Sequence, residues 1–261
     1  MWDETLYAGS ASHYVSGRMP YPPQIATVLA ETLRLDGTGR LLDMGCGPGS
    51  LTVLLAPLFA ETVGVDPDAG MLAEARRRDD RISWRQSTAE RVPVQWGPFR
   101  LVTFAQSFHW MDQPAVATRV RPMLAPGGAW VHVGATTHRG MDGADPLPHP
   151  RPPHDAIDDL VAKFLGPGRP AGTGKPGGEK DVMRAAGYTH LRRLEVASQV
   201  MTRTEDQVVA AVFSLSYATP HLFGQRADDF ERRLRALLRA VSPDRLFSEH
   251  RREIALDIWV P

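Results

Sequence analysis

Apolar positions along this chain of 261 residues recur in two patterns that alternate with each other. Short apolar or alternating runs predict buried strands, whereas longer runs with apolar residues at three- and four-residue steps predict amphipathic helices. The predicted strands cover residues 41–44, 62–66, 82–86, 99–106, 129–134, 191–201 and 251–260. The predicted helices cover about 24–35, 50–59, 67–78, 113–123, 155–164, 179–186, 204–215 and 227–241. Strands that alternate with helices predict an α/β fold, here a doubly wound mixed sheet of seven strands with helices on both faces.

Three glycines at alternate positions, Gly45, Gly47 and Gly49, lie between the first predicted strand and a helix. Glycine is required where the backbone takes unusual dihedral angles or approaches a ligand closely, and the following helix directs its free N–H groups at the loop. Asp66 ends the second predicted strand, where a carboxylate can accept hydrogen bonds from ribose hydroxyls. These features predict a nucleoside site. The spacing G-x-G-x-G, preceded by Asp43, favours a ligand that has no pyrophosphate at this point.

Composition narrows the choice of partners. The 30 Lys and Arg residues balance the 30 Asp and Glu residues, so no net charge favours nucleic acid or an anionic membrane. Cys46 is the only cysteine, which excludes a disulfide within the chain and favours a reducing compartment. The sequence contains no signal-peptide pattern and no apolar run of the roughly 18 residues that a membrane span requires. We therefore expect a cytoplasmic protein that is a monomer or homodimer and has no metal site, because His149 and His154 lack arranged carboxylates or cysteines.

The stretch from Leu41 to Asp66 resembles the class I S-adenosylmethionine-dependent methyltransferases, whose first motif is close to L-D-x-G-C-G-x-G. The resemblance continues more loosely to about Gly134 and favours the small-molecule branch, which includes the type 11 and trans-aconitate methyltransferases. It implies S-adenosyl-L-methionine as the cofactor and a Rossmann-like sheet of strand order 3-2-1-4-5-7-6 with the last strand antiparallel. The cofactor-binding residues that it implies in the core are Asp43, Gly45, Cys46, Gly47, Gly49, Asp66, Pro67, Met71, Thr88, Ala89, Glu90, Ala105 and Gln106.

Several of these positions also have a simpler interpretation. Met71 would pack on the adenine, although a Met at helical spacing is more often a core residue. Thr88 stands where the family usually has Asp, and the segment around it is either an adenine-reading loop or a polar turn. Cys46 is better explained as a small filler of the loop than as a nucleophile, because no partner base lies near it in the sequence.

The N-terminal segment carries a second resemblance. The run from Tyr14 to Pro23 is similar to a "Y…R-P-x-Y-P" segment that folds over the cofactor in small-molecule methyltransferases. This similarity implies that Arg18 binds the methionine carboxylate, for which a planar fork is suited, and that Tyr14 lies near the sulfonium. The alternative is a surface arm that is held in place by its aromatic residues.

The third resemblance follows the fourth predicted strand. Phe108, His109 and Trp110 belong to a stretch similar to the family's "x-x-H-W-x-D", and they are the candidate substrate-binding residues. His109 is the candidate catalytic base, since an imidazole can take a proton near neutral pH. A substrate hydrogen-bond partner and a purely structural imidazole are equally consistent with the sequence.

The predicted organisation is a single catalytic domain in three parts. Residues 1–135 form the N-terminal arm and cofactor-binding core, residues 136–178 form a Pro- and Gly-rich lid, and residues 179–261 complete the sheet and add a helical cap. The predicted function is methyl transfer to a small-molecule acceptor, such as a secondary metabolite, by in-line displacement. The alternatives are an NAD-dependent oxidoreductase, a non-catalytic binding protein of the same fold, and a nucleic-acid methyltransferase. The first predicts a third glycine one residue later, and the last predicts a basic surface.

Overall fold

The structure of the protein, a computed structural model, describes residues 6–166 and 178–261. Residues 167–177, which belong to the predicted lid, lie outside the described residues. The α-helices of the described part are α1 (Ala11–Gly17), α2 (Gln24–Leu33), α3 (Ser50–Leu55), α4 (Ala69–Arg78), α5 (Gln113–Val120), α6 (His154–Leu165), α7 (Glu179–Ala185), α8 (Glu205–Phe213), α9 (Pro220–Phe223) and α10 (Ala227–Val241). The strands are β1 (Arg40–Met44), β2 (Glu61–Asp66), β3 (Ser83–Gln86), β4 (Phe99–Ala105), β5 (Leu124–Gly134), β6 (Thr189–Val196), β7 (Val200–Thr204), β8 (Leu246–His250) and β9 (Ile254–Val260).

The main sheet has seven strands in the order β3-β2-β1-β4-β5-β9-β6. Neighbouring strands from β3 to β5 run parallel, and β9 runs antiparallel to both β5 and β6. Since β6 and β9 are the sixth and seventh strands of this sheet along the chain, the predicted order 3-2-1-4-5-7-6 with an antiparallel last strand is confirmed. The predicted doubly wound, Rossmann-like α/β fold is confirmed as well.

Both faces of the sheet are covered, which explains why the central strands read as nearly continuous apolar runs. Along β1, Leu41 packs on one face in a cluster with Ile25 and Leu29 of α2. Leu42 and Met44 point to the opposite face and join a cluster with helix α5. Successive side chains of a strand alternate between faces, so the three apolar residues Leu41, Leu42 and Met44 supply both cores at once.

A third apolar cluster lies outside the sheet and forms a cap. It joins helices α6, α8, α9 and α10 to Phe247 of β8, which pairs with β7 in a separate two-stranded sheet. Phe230, Leu234 and Leu238 of α10 are fully buried in it, at the four-residue spacing that places side chains on one face of an amphipathic helix.

Several details differ from the predictions, among them the unpredicted short helix α9 and the start of β5 at Leu124 and not at 129. The single strand predicted at 191–201 is two strands, β6 and β7, which belong to different sheets. The strand predicted at 251–260 begins at Ile254 and is preceded by the unpredicted strand β8. Helix α1 was not predicted either, because Ser12, Val15 and Ser16 are poor helix formers. Among the described helices, none combines the length and apolar character required to traverse a bilayer.

Candidate active site

The loop after β1 holds its backbone against β2. The N–H groups of Gly45 and Cys46 donate to the carbonyl of Val65 at 2.8 and 3.0 Å. Gly47 has a φ of +53°, and a Cβ built on it would meet nothing within 4 Å. The loop therefore presents bare backbone to open space at Gly47, where a ligand can approach closely.

Asp66, at the end of β2, is hydrogen-bonded to this backbone through its carboxylate. Its Oδ2 accepts from the N–H of Gly47 at 2.8 Å, and its Oδ1 accepts from the N–H of Asp68 at 2.9 Å. Burial raises the pKa of Asp66 to about 6, although the two N–H groups oppose that effect. Each carboxylate oxygen has a second lone pair, so Asp66 can hold the loop and still accept hydrogen bonds from a pair of ligand hydroxyls.

A cavity of about 610 Å³ opens beside Gly47 and Asp66 at the carboxyl edge of the strands. Ligands of open α/β sheets bind at this edge, and the volume lies in the range of small-molecule sites. Predicted residues that line it are Tyr14, Gly45, Gly47, Asp66, Pro67, Met71, Thr88, Ala89, Glu90, Ala105, Gln106 and Trp110. Lining residues that the sequence reasoning missed are Tyr7, Ser87, Arg91, Ser107, Met111 and Asp112.

A larger groove of about 1040 Å³ lies at the opposite edge, near Arg40 and Glu61 at the starts of β1 and β2. None of the predicted site residues lines it. Its position at the amino ends of the strands makes it a poor candidate for the cofactor site.

One wall of the cavity joins the segment after β3 to helix α5. Glu90 accepts a hydrogen bond from the N–H of Asp112 at 2.9 Å, and the carboxylate of Asp112 caps α5 by accepting from Ala115. On the facing side, Asp68 caps α4 by accepting from the N–H of Met71, whose side chain is 3% exposed. These caps fix the elements that carry Met71, Thr88 and Ala89 to the cavity.

Gln106, directly after β4, has an unusual backbone. Its φ is +54°, a value that residues other than glycine adopt rarely. The residue lines the cavity, and its Nε2 lies 3.4 Å from the carbonyl oxygen of Val133 on β5. Strained conformations of this kind concentrate at functional sites, and this one turns the chain away from the sheet where the cavity begins.

Three aromatic rings stand together at the cavity. The Tyr7 ring makes edge-to-face contacts with Tyr14 and with Trp110, each at a centroid distance of 6.3 Å. Burial raises the pKa of Tyr7, so its hydroxyl stays protonated. The sequence offered only the aromatic character of the N-terminal segment as a signal for Tyr7, and that signal did not distinguish it from its neighbours.

Asp43 lies behind the loop, in the core. It is 1% exposed, and its two oxygens accept from Thr52 at 2.5 Å and from Thr103 at 2.7 Å. Burial raises the pKa of Asp43 to about 6, against the effect of both hydroxyls. Asp43 thus joins β1, β4 and α3 and does not line the cavity.

Cys46 and Gly49 pack on Trp84. Cys46 is buried in a cluster with this ring, and burial raises the pKa of its thiol well above the usual value, which agrees with a filler role. A Cβ on Gly49 would lie 2.5 Å from the Trp84 ring, so Gly49 permits the close approach of α3. Neither residue lines the cavity.

Phe108, His109 and Trp110, the three candidate substrate-binding residues, occupy different environments. Phe108 is 3% exposed and packs in the core against Phe104 and Trp130, away from the cavity. The ring of His109 lies 5.0 Å from that of Trp110 and does not line the cavity, while Trp110 does. Burial lowers the pKa of His109, and the charge of Glu179 partly offsets this. The catalytic role of His109 stays a prediction.

Arg18 lies beyond Tyr14, on the side of the cap. Its guanidinium stacks on the Tyr14 ring at 4.5 Å and donates to Ser214, the residue that follows α8. The structure therefore directs Arg18 towards the cap, whereas the N-terminal resemblance implied a contact with the cofactor. Within residues 6–166 and 178–261, no cluster of three or more His, Cys, Asp and Glu side chains is arranged to hold a metal ion.

Comparisons with known proteins find similarity to methyltransferases. A methyltransferase domain family matches residues 41–128. An uncharacterized methyltransferase of Mycobacterium tuberculosis is 35% identical over 128 residues, which are 48% of this chain and 51% of that protein. The trans-aconitate 2-methyltransferase of Methylobacterium nodulans is 35% identical over 106 residues, 40% of this chain and 41% of that protein. The chain thus spans about half the length, or less, of the curated relatives it matches.

The likeness to solved structures extends over nearly the whole chain. A structure from Anaeromyxobacter dehalogenans, provisionally named a type II methyltransferase, superposes with a TM-score of 0.56 at 21% identity. The superposition covers 92% of this chain and 95% of that one. At this identity the likeness shows the fold alone.

Proposed function

We propose that this chain, whose residues 41–128 match a methyltransferase domain family, is a class I S-adenosylmethionine-dependent methyltransferase and transfers a methyl group from S-adenosylmethionine to a small-molecule acceptor. The proposal rests on one observation. Gly47, Asp66, Ala89 and Gln106 line the same cavity at the carboxyl edge of the sheet. Most of the residues that the sequence predicted for the cofactor, from separate segments, line this cavity, which supports the proposal, whereas Arg18, Asp43, Cys46 and Gly49 do not line it.

The residues present fit the cofactor. Asp66 has free lone pairs for the ribose hydroxyls, and Gly47 leaves its backbone open to the ligand. Thr88 and Ala89 would contact the adenine edge, and Met71 its face. The loop has the spacing G-x-G-x-G and not the G-x-G-x-x-G of dinucleotide sites, which disfavours NAD.

S-adenosylmethionine supplies a methyl group that is activated by a positive sulfur and leaves a neutral thioether. The chain therefore mainly has to align donor and acceptor and to exclude water. Tyr7, Tyr14 and Trp110 are suited to both tasks. Their rings close one side of the cavity against water, and aromatic faces attract a cation by about 1–2 kcal/mol when it is desolvated.

The acceptor is proposed to be a small molecule because a balanced net charge provides no surface field for nucleic acid. A relative that is named for its action on trans-aconitate supports this class.

The experiment is a transfer assay with S-adenosylmethionine carrying a labelled methyl group, offered with small-molecule, protein and nucleic-acid fractions. Calorimetry with S-adenosylhomocysteine tests the site directly. Asp66→Ala should remove two charge-assisted hydrogen bonds of about 1.5–3 kcal/mol each, and so weaken binding at least a hundredfold. The exposed Asp36 provides the control, since Asp36→Ala should leave affinity unchanged. Tight binding of NAD by the wild type, or unchanged affinity in Asp66→Ala, would refute the proposal.

A further inference from the structure

Gln106 takes a strained conformation that has no local explanation. Its φ of +54° is one of three positive values among the described residues other than glycine. Arg34 caps the end of helix α2, and Arg245 closes a turn by donating to the carbonyl of Ser242 at 3.0 Å. Gln106 has neither role, since it directly follows strand β4. Strain of this kind concentrates at functional sites.

The residue after Gln106 fixes this conformation. The hydroxyl of Ser107 donates to the carbonyl of Met44 at 2.6 Å. Ser107 also packs so tightly on the glycine loop that a Cβ built on Gly45 would lie 2.5 Å from the Cβ of Ser107. The chain therefore turns at Gln106 from the sheet onto the glycine loop, and Gln106 is placed on the wall of the cavity.

The side-chain amide of Gln106 has a defined orientation. Its Nε2 lies 3.4 Å from the carbonyl oxygen of Val133 on β5, and the reverse orientation would bring two acceptor oxygens together. The cavity lies on the other side, because its lining residues come from the N-terminal arm and from the ends of β1 to β4, and none from β5. Within the described part of the chain, Oε1 has no hydrogen-bond partner. Gln106 thus offers a free acceptor oxygen to a ligand in the cavity.

Gln106 lies at the end of the cavity opposite to the proposed adenine position. Thr88 and Ala89 follow β3, and the order β3-β2-β1-β4 separates them from Gln106 by three strand spacings. Neighbouring strands are about 4.8 Å apart, so the two ends are roughly 14 Å from each other. Asp66, proposed for the ribose, ends β2 between them. A cofactor bound in this direction extends its sulfur towards β4, where the acceptor has to approach it.

The charged groups of the cavity favour a cation over an anion. Three of its described lining residues are acids and one is basic, namely Asp66, Glu90, Asp112 and Arg91. Tyr14 and Trp110 also line it, and aromatic faces attract cations. A positive charge that moves from sulfur to the acceptor is therefore stabilised in the cavity.

We infer that Oε1 of Gln106 accepts a hydrogen bond from the nucleophilic nitrogen of the methyl acceptor, which is an amine. This inference rests on the proposed function and deepens it, because it names the class of acceptor. A neutral amine that donates an N–H to Oε1 keeps its lone pair for the methyl group. That lone pair forms the C–N bond while the C–S bond breaks. The electrons of the broken bond stay on sulfur as a thioether, and the product ammonium releases its extra proton to water.

The fixed carbonyl of Gln106 is suited to this step. The nitrogen becomes positive as the bond forms, and an oriented dipole stabilises the charge that develops. A carboxylate acceptor has no hydrogen to donate and would direct an oxygen at Oε1. An alcohol can donate, but it has to lose its proton to attack, and the described lining residues include no histidine or lysine to take it.

The test is calorimetry on the full chain saturated with S-adenosylhomocysteine, at an alkaline pH that raises the neutral fraction of an amine. The probes are benzylamine and butylamine, with benzoate and butyrate as carboxylate counterparts and benzyl alcohol and butanol as alcohol counterparts. We expect at least one amine to bind at least tenfold more tightly than its carboxylate. In the labelled-methyl assay, the same amine should be methylated at least a hundredfold faster than its alcohol.

Two variants of Gln106 test its role. Gln106→Met keeps the length of the side chain and removes the amide, so it should weaken amine binding at least fivefold and leave the affinity for S-adenosylhomocysteine within twofold. Gln106→Gly adopts the same φ without a steric cost, so it should show the same loss even if Gln106→Met folds poorly. Gln95→Met makes the same exchange at an exposed residue outside the cavity and should change neither affinity.

The inference is overturned if neither amine binds, if the carboxylates bind as tightly as the amines, if the alcohols are methylated as fast, or if Gln106→Gly binds the amine like the wild type. It is also overturned if either Gln106 variant loses S-adenosylhomocysteine, a result that would assign the side chain to the cofactor. Failure of the wild type to bind S-adenosylhomocysteine would instead count against the proposed function itself.

Discussion

At the scale of the residue, Asp66 shows how one carboxylate serves both the fold and the ligand. It holds Gly47 and Asp68 through their N–H groups and keeps lone pairs for a ligand. Burial raises its pKa from the usual value near 3.8 to about 6, so its charge is costly in the ligand-free protein. Binding needs that charge because only the ionised group accepts at all its lone pairs.

The raised pKa of Asp66 predicts opposite effects of acid on binding and on stability. As the pH falls below about 6, the affinity for S-adenosylhomocysteine should fall by about tenfold per pH unit. The ligand-free protein should gain stability from this group over the interval from about pH 6 to pH 4, because the costly charge is removed there. Calorimetry and thermal melting between pH 5 and 8 measure the two trends. An affinity that is constant over this interval would show that Asp66 need not be charged.

His109 lies outside the wall of the cavity and behind Trp110. We therefore expect His109→Ala to lower the turnover number by less than tenfold and to act mainly by loosening the Trp110 ring. His109→Gln should retain still more of the rate. Steady-state kinetics with saturating cofactor measures both. A fall of 10²–10⁴, the contribution of a general base, with cofactor affinity intact, would establish His109 as the catalytic base.

Much of the residue-scale site could be predicted because its signals are local in the sequence. The glycines after β1 and the acid after β2 each sit at the end of a strand, and parallel strands bring such ends together. Tyr7 could not be assigned, since its place at the cavity depends on contacts with Tyr14 and Trp110. The same holds for Arg18, whose partner Ser214 follows it by 196 positions.

At the scale of the element, helix α1 depends on its neighbours more than on its own sequence. Gly17, at its end, lies so close to α8 that a Cβ would overlap the backbone of Ala210 and Ala211. At its start, Ala11 lies opposite Gly70 of α4. A seven-residue segment with weak helix propensity is therefore helical because it is packed between α4 and α8.

Gly17→Ala should force α1 away from α8. Overpacking of this kind costs about 1–3 kcal/mol, and it should also weaken cofactor binding because α1 carries Tyr14 to the cavity. Thermal melting and calorimetry on the same samples measure both effects. Gly134→Ala is the matched control, since a Cβ there would meet Ala255 only at ordinary contact distance, 3.7 Å. A Gly17→Ala variant as stable as this control would show that α1 is not tightly docked.

The strand that was predicted at 191–201 shows that an alternating pattern does not determine which sheet a strand joins. The alternation is present in β6 and in β7, but the chain changes sheets between them, near Gln199. There the carbonyl of Gln199 accepts from the N–H of Arg251, at 2.8 Å. The strand with which a segment pairs depends on residues that are distant in the sequence. The alternation of side chains therefore does not predict where the chain changes sheets.

At the scale of the whole molecule, a buried ion pair links the two-stranded sheet beside the cap to α1 and to the chain after β5. Arg203 of β7 donates to Glu249 of β8 at 2.7 Å and also to the carbonyls of Gly17 and His138. Burial raises the pKa of Glu249, but the hydrogen bond from His154 and the charge of Arg203 outweigh this and lower it to about 2. The cluster thus connects α1, the chain after β5, α6 and the two-stranded sheet.

Glu249→Gln should leave the charge of Arg203 buried without a counter-charge. Breaking one side of a buried pair costs about 3–5 kcal/mol, and each kcal/mol lowers the melting temperature by roughly 2–4 °C in a domain of this size. Glu195→Gln provides the control, because Glu195 pairs with Arg193 at the surface and such pairs contribute little. Calorimetric melting at neutral pH distinguishes the two. Equal melting temperatures would show that the cluster does not hold the cap.

Helix α1 contacts three parts of the molecule. Ala11 lies against α4, Gly17 lies against α8 of the cap, and Tyr14 lines the cavity. The cofactor and the acceptor are both proposed to bind at the cavity to which this docked segment contributes Tyr14. Ordering that segment for the first ligand lowers the entropic cost of ordering it for the second. The two affinities should then be linked, and by reciprocity each ligand should strengthen the other by the same factor. A thermodynamic cycle of four calorimetric titrations measures that factor. A value of one would mean that the two ligands bind independently and that α1 does not couple them.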